Sequence, residues 1–368
     1  MREMGLRGCL WDTVPFAAMV AVECANIGLT TLSKAAMSRG MNTFVFLTYS
    51  YGLATLFILP PAFISFRKVN RPITLSILRK LLLLGLLGYS GQIFSYTGIR
   101  YSSPTLSAAI SNLVPVFTFL LAIIFRMEKL ELRSSSSQAK SIGTIVSIAG
   151  AFVVTLYKGH TILMMTTSSP STSPHHLLVT TSPSNWVIGG LFIATSSMLF
   201  AFWYILQANI VKEYPAEVTI TCIYTFFVTI QSAVVSLITE RKPSAWSLSP
   251  GLVLITILYS AFFGPTFSTA IHTWCIHKRG PVYAAMFRPL GIVIAVVMGV
   301  LFLGDSLRLG SILGSMIIIL GFYGVMWGKS EENKLVDDKG INGSESSTQN
   351  EYLLPKQYGV EWESLLCV

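Results

Sequence analysis

Ionisable side chains are scarce in the apolar stretches of this chain, and the few present fall at helical spacing. Glu23, Asn26, Thr30 and Lys34 lie within about 80° of one another when each residue turns ~100°, a single stripe on one helical face. A carboxylate among amides and hydroxyls suits the lining of a water-filled cavity, with Glu23 as the group that takes up a proton. It equally suits a neutralised packing contact between helices, and Lys34, near the outer end, has the length to snorkel to the surface. Gly85, Gly88, Gln92 and Tyr96 share a face of a second stretch, and Ser196, Trp203 and Gln207 share a face of a third. Gln92 and Gln207 each read as a solute contact or an interhelical hydrogen bond, and Asn112, just ahead of Pro115, joins the solute-facing set. Pro115 and Pro289 each interrupt an apolar stretch, freeing a backbone carbonyl that a neighbour, water or a ligand must satisfy. Arg288 sits seven residues past Pro281, about 10 Å into its stretch at ~1.5 Å per residue, with no acidic residue one turn away on its own helix. Three answers to its charge are open: snorkelling, pairing with Glu23 or a carbonyl freed by Pro289, or an anionic solute. Arginine suits the last, because its planar fork grips a carboxylate through two parallel hydrogen bonds.

Other chemistry is excluded. His272 and His277 are five apart, off a common helical face, and no HExxH, paired-aspartate or Ser/His/Asp pattern accompanies them. A glycine-rich phosphate loop is missing too, which removes ATP as an energy source. The five cysteines form no CxxC pair, and three lie in apolar stretches, so neither a disulfide framework nor a zinc site is indicated. The expectation is a non-enzyme with no cofactor.

The elements that must carry these residues are membrane spans. With 52% hydrophobic and 12% charged residues in 368, the chain lies outside the range of soluble domains. Ten apolar segments are long enough to cross ~30 Å of hydrocarbon: 14–36, 43–66, 78–98, 104–125, 138–157, 186–208, 217–239, 250–271, 281–303 and 309–328. The first has Arg2 and Arg7 ahead of it like a signal peptide, but its length, its lack of a small-residue cleavage site, and Glu23 and Lys34 make it a retained helix. With the N-terminus inside, 18 of the 26 Lys and Arg fall in cytoplasmic segments and six in outer ones, so both termini are expected in the cytosol. The +9 net charge is then an orientation signal, not a nucleic-acid footprint.

The chain repeats itself. Shifting the numbering by 177 lays Pro104–Leu132 on Pro281–Leu309 with seven of 29 positions identical and Glu128 against Asp305. A shift of 171 lays Gly143, Gly150 and Lys158 on Gly314, Gly321 and Lys329. Five spans per half is odd, so the second copy must enter the membrane upside down. The predicted fold class is therefore all-α integral membrane, ten transmembrane helices as two inverted five-helix repeats. The repeats are expected over 14–157 and 186–328, after a cytoplasmic segment 1–13. Between them an outer linker, 158–185, is dense in Ser and Thr and reads as disordered. The tail, 329–368, reads likewise, its Asn342-Gly-Ser sequon on the wrong side for glycosylation and its end, Glu361-Trp-Glu-Ser-Leu365-Leu366, matching an acidic dileucine sorting pattern. The partners expected are a small organic solute and the lipid bilayer, with a homodimer through glycine-bearing helices the oligomer the pattern allows.

The segments Tyr101-Ser-Ser-Pro-Thr, Ala109-Ile-Ser-Asn-Leu-Val-Pro115, Phe125-Arg-Met-Glu128, Gln138-Ala-Lys140 and Leu156-Tyr-Lys-Gly159 resemble the first half of the plant EamA-type drug/metabolite transporters. Ile205-Leu-Gln-Ala, Tyr214-Pro, Gly280-Pro-Val, Met286-Phe-Arg-Pro289, Phe302-Leu-Gly-Asp305 and Trp327-Gly-Lys329 resemble the second. The likeness is narrowest to the nodulin-like, Walls-Are-Thin-related branch, also called usually-multiple-acids-move-in-and-out transporters, and covers roughly 14–330. Two positions depart: Tyr49-Ser50 stands where that branch has Tyr-Arg, and Phe66-Arg67-Lys68 where it has Glu-Arg-Lys. What the resemblance implies is a plant carrier of small organic solutes, amino acids or auxin-like acids, in the plasma or vacuolar membrane. The competing class is a non-transporting polytopic protein, a receptor-like scaffold or an intramembrane enzyme; the inverted repeat with polar stripes at matching depth favours the carrier.

Overall fold

The computed structural model of the chain describes residues 2–68, 73–101, 110–127, 134–157, 161–163, 183–241, 243–246, 251–298 and 307–342. Ten helices carry the fold across these residues. The first half holds α1 (Arg2–Ser38), α2 (Thr43–Lys68), α3 (Leu75–Tyr101), α4 (Val114–Ile124) and α5 (Ser135–Leu156). The second holds α6 (Pro183–Glu213), α7 (Glu217–Thr239), α8 (Leu252–Arg279), α9 (Pro281–Met298) and α10 (Leu309–Asn342). Among the described residues nine of them are long and apolar enough to cross a membrane, and α4 is a shorter apolar helix of 11 residues. Helices are what such a sequence must form in lipid, where no water meets an unpaired backbone group. Side chains turned outward, such as Leu56, Phe63, Ile145, Ile238 and Leu320, are exposed and apolar, as a lipid-facing surface requires.

The two halves pack as a pseudo-symmetric pair. α3 lies against α6 and α7 as α8 lies against α1 and α2, and α4 meets α6 as α9 meets α1. The equivalent helices α2 and α7 meet each other, as do α5 and α10. Along α5 and α10, Gly143 faces Gly321, Gly150 faces Gly314 and the Ser136 hydroxyl donates to the Gly328 carbonyl at 2.6 Å. Numbers rise on one helix as they fall on the other, so equivalent helices run antiparallel, as inverted repeats demand. The glycines let the backbones touch: a Cβ on Gly150 would lie 2.7 Å from the Ile318 nitrogen. These glycines of the repeat thus face each other within one chain. Between α2 and α7 the seam is polar, with Thr48 and Ser236 hydroxyls 2.8 Å apart, Thr55 and Thr229 hydroxyls 3.0 Å apart, and Asn42 Nδ2 donating to Glu240 at 2.8 Å.

Three helices are broken, and proline accounts for each. The turn at Asn112–Leu113 precedes α4, with Pro115 in its first turn, and α9 breaks at Met286, three residues before Pro289. In α8 the turns widen into a π-helix over Phe262–Ser268 around Pro265. Pro265 has no N–H for the Ala261 carbonyl, and the Thr266 hydroxyl donates to it instead at 2.8 Å.

Two expectations change at the ends of the repeats. Of the stretch expected as a disordered linker, Thr161–Leu163 pairs antiparallel with Leu307–Arg308, and Pro183 already opens α6. α10 runs on to Asn342 where an unstructured tail was expected from 329, because Glu, Lys and Leu after Gly328 are good helix formers and no proline follows until Pro355. Glu128, Asp305, residues 164–182 and the tail from 343, with its dileucine pattern, lie outside the described residues.

Candidate functional site

A cavity of about 540 Å³ opens among α1, α2, α3, α6, α8 and α9, with Tyr224 of α7 and the turn before α4 closing its sides. That size falls in the ~300–1,000 Å³ range of small-molecule sites. Eight of the residues singled out from the sequence line it: Glu23, Asn26, Thr30, Gln92, Tyr96 and Asn112 from the first half, Trp203 and Arg288 from the second. Others take different places. Gln207 is buried behind the wall and its Nε2 donates to the Thr273 hydroxyl, so its stripe-mate Trp203 faces the cavity while Gln207 joins helices. Pro115 and Pro289 are buried and shape the helix breaks without facing the cavity. Lys34 lies on α1, and its side chain falls outside the described residues.

Glu23 and Arg288 are the acid and the cation of this cavity, one on α1 and one on α9. Glu23 is 5% exposed, and its Oε1 has no hydrogen-bond partner. Its carboxylate lies against Gly291: a Cβ there would sit 2.7 Å from Oε2, so a larger residue would make the carboxylate shift. Arg288 is half-buried, its guanidinium over the Phe200 ring at 5.5 Å with Tyr204 beside it, and its Nε is unpartnered. It is turned to the cavity, not to the membrane surface. The two charges lie within electrostatic reach, yet no direct ion pair joins them. Taking a charge out of water without a bonded partner is costly, so each of these two groups is an unusual occupant of an apolar span.

The remaining wall is aromatic and hydroxylic. Trp203 packs edge-on against Tyr204 and Tyr224, with ring centroids 5.2 and 6.0 Å away, and Gly88 leaves the room for that cluster. Gln92 Nε2 donates to the Tyr51 hydroxyl at 2.7 Å, the interhelical hydrogen bond of the sequence reading, and its Oε1 is unpartnered at the cavity wall. His272, which motif reasoning set aside, stands between Trp203 and Tyr204; its Nδ1 donates to the Ser268 carbonyl at 2.7 Å and its Nε2 has no partner. Ser50, at the position where the resembled branch has arginine, also lines the cavity with its hydroxyl unpartnered. Buried polar atoms are nearly always hydrogen-bonded. Seven lining side chains, those of Glu23, Ser50, Gln92, Trp203, Tyr204, His272 and Arg288, nevertheless carry a buried polar atom with no hydrogen-bond partner within the chain.

Sequence reasoning missed His272, Tyr204, Tyr51 and Tyr224 because an aromatic or a lone histidine in an apolar span looks like packing. One signal was available: adding 177 to Gln92 and Ser95 gives Thr269 and His272, both on the cavity wall. Among the described residues no group of three or more His, Cys, Asp or Glu is placed to hold a metal ion.

The model of the EamA-like transporter family matches the chain twice, over residues 16–156 and 187–327. Two WAT1-related proteins of Arabidopsis thaliana are similar along nearly their whole length. One is 49% identical over 94% of this chain and 96% of its own, the other 47% identical over 92% and 91%. A solved crystal structure shares the fold with a TM-score of 0.59 at 15% identity, covering 86% of this chain and 98% of that one.

Proposed function

The chain belongs to the EamA-like transporter family, in its WAT1-related branch, and from that premise we propose that it carries amino acids or auxin-like organic acids across a plant plasma or vacuolar membrane by alternating access. It is a multi-pass membrane protein, and the family makes it a transporter of small solutes. The observation that carries the finer reading is the facing, unjoined pair of Glu23 and Arg288 across one cavity with an aromatic wall. An organic acid places its carboxylate on the Arg288 fork and its ring or chain against Trp203 and Tyr204. An amino acid adds an ammonium group for Glu23. Alternating access follows from inverted repeats that surround one central site, each half able to take the pose of the other.

Flux of radiolabelled amino acids and indole-acetate into oocytes or yeast expressing the chain tests the reading. Arg288→Ala is expected to abolish acid flux with surface abundance unchanged. Arg288→Lys, which keeps the charge and loses the fork, is expected to weaken apparent affinity roughly tenfold or more, the worth of one charge-assisted hydrogen bond. Normal acid flux by Arg288→Ala would refute the assignment.

A further inference from the structure

Three positions of the first half and their equivalents in the second are in opposite situations. α2 and α7 begin at Thr43 and Glu217, 174 apart, and α3 and α8 at Leu75 and Leu252, 177 apart. A shift of 174 carries the cavity-facing stripe Asn26, Thr30, Ser33 onto Phe200, Tyr204, Gln207, and carries Leu47 onto Thr221. A shift of 177 carries Tyr96 onto Thr273. Ser33, Leu47 and Tyr96 line the open cavity. Their counterparts Gln207, Thr221 and Thr273 are closed on one another instead, at 1%, 0% and 0% exposure. Gln207 Nε2 donates to the Thr273 hydroxyl, which stands 3.4 Å from that of Thr221. Beyond them, at the helix ends that the Lys and Arg bias puts in the cytosol, Lys80 pairs with Glu213, and His277 meets Glu217 at 2.5 Å.

We propose that Gln207, Thr221 and Thr273 form an inner subsite of the transport path, shut in this conformation and opened to the cytosol when the halves exchange poses. A second observation supports a lining role over permanent packing. Gln207 Oε1 is buried with no hydrogen-bond partner, a penalty that a well-packed, static contact would not carry. The subsite is uncharged, so it offers hydrogen bonds to the polar groups of a passing organic solute without holding its charges. Tight binding then stays at the level of Glu23 and Arg288, and the solute meets no fixed charge within the subsite itself. The inference rests on alternating access and on no particular substrate.

The test is thiol accessibility. Thr221→Cys and Thr273→Cys are made singly in a chain whose own cysteines are replaced by serine, and a membrane-impermeant thiol reagent is applied to inside-out and to right-side-out vesicles. The expected result is modification of both from the cytoplasmic face, about tenfold faster than from the other face, since thiol modification tracks exposure. Should either variant fail to reach the membrane, Gln207→Cys reports on the same cluster. Absence of modification from either face would overturn the proposal, as would modification from the outer face alone. Cytoplasmic modification in a chain that moves none of the offered acids leaves the inner subsite standing and refutes only the substrate reading.

Discussion

Glu23 carries the sharpest expectation at the scale of single residues. It is the carboxylate of the cavity, held against Gly291 with one oxygen unpartnered, and it lines the same cavity as Arg288. If it exchanges a proton in the transport cycle, flux by the parent chain varies between about pH 5 and pH 8, and Glu23→Gln, with nearly the same shape, gives a flat profile at unchanged abundance. A profile that keeps its slope in Glu23→Gln returns the residue to a packing role. The polar half of this site was legible in the sequence because charge inside an apolar span is rare enough to be noticed: Glu23, Asn26, Gln92 and Arg288 all reach the cavity. The aromatic half was legible only in Tyr96 and Trp203, which share faces with the glutamines; Tyr204 at 1% exposure and Tyr51 and Tyr224 at 4% were not, since they serve packing and cavity wall together. Gln207 shows the converse limit. Helical spacing gives the face a residue occupies but not the depth at which a neighbouring helix covers it.

At the scale of elements, the α5–α10 seam is the contact least able to tolerate change. A Cβ at Gly150 would press on the Ile318 nitrogen and, at 2.8 Å, on the Gly314 carbonyl, both backbone atoms with no rotamer to escape into. Gly150→Leu must therefore push the helices apart. It is expected to lower the detergent-solubilised protein's thermal midpoint by several degrees, the effect of an overpacking cost of about 1–3 kcal/mol. Ser147→Ala, on the same helix with its hydroxyl 3.3 Å from the Ile318 carbonyl, removes a long bond and adds no bulk, and is expected to change the midpoint little. A midpoint for Gly150→Leu equal to the parent's would show the seam to be loose. The glycines seven apart were visible in the sequence, and so was their repetition. Which helix they served was not, because periodicity along one helix carries no record of its partner. The π-turns of α8 were also illegible: Pro265 announces a disturbance, while the widening that follows depends on Thr266 taking over the Ala261 carbonyl.

For the whole molecule, the repeat read from the numbering is the fold: two five-helix halves, each making with the other the contacts its twin makes in return. That arrangement has a consequence for how the protein is made. The glycine face of α5 has its partner in α10, which is synthesised only after α6 to α9, so the first half must wait in the membrane with that face turned to lipid until α10 emerges. A helix with a bare glycine stripe does not wait indifferently; it takes whatever similar surface is at hand, and the nearest is α5 of another nascent chain. Produced alone, the segment 1–157 is expected to self-associate, visible as a dimer on crosslinking through a cysteine placed at Ser147. Co-produced with 183–368, it is expected to give up that dimer for the cross-half pair and restore solute flux. A first half that stays monomeric by itself would mean that α5 is shielded during synthesis by its own neighbours.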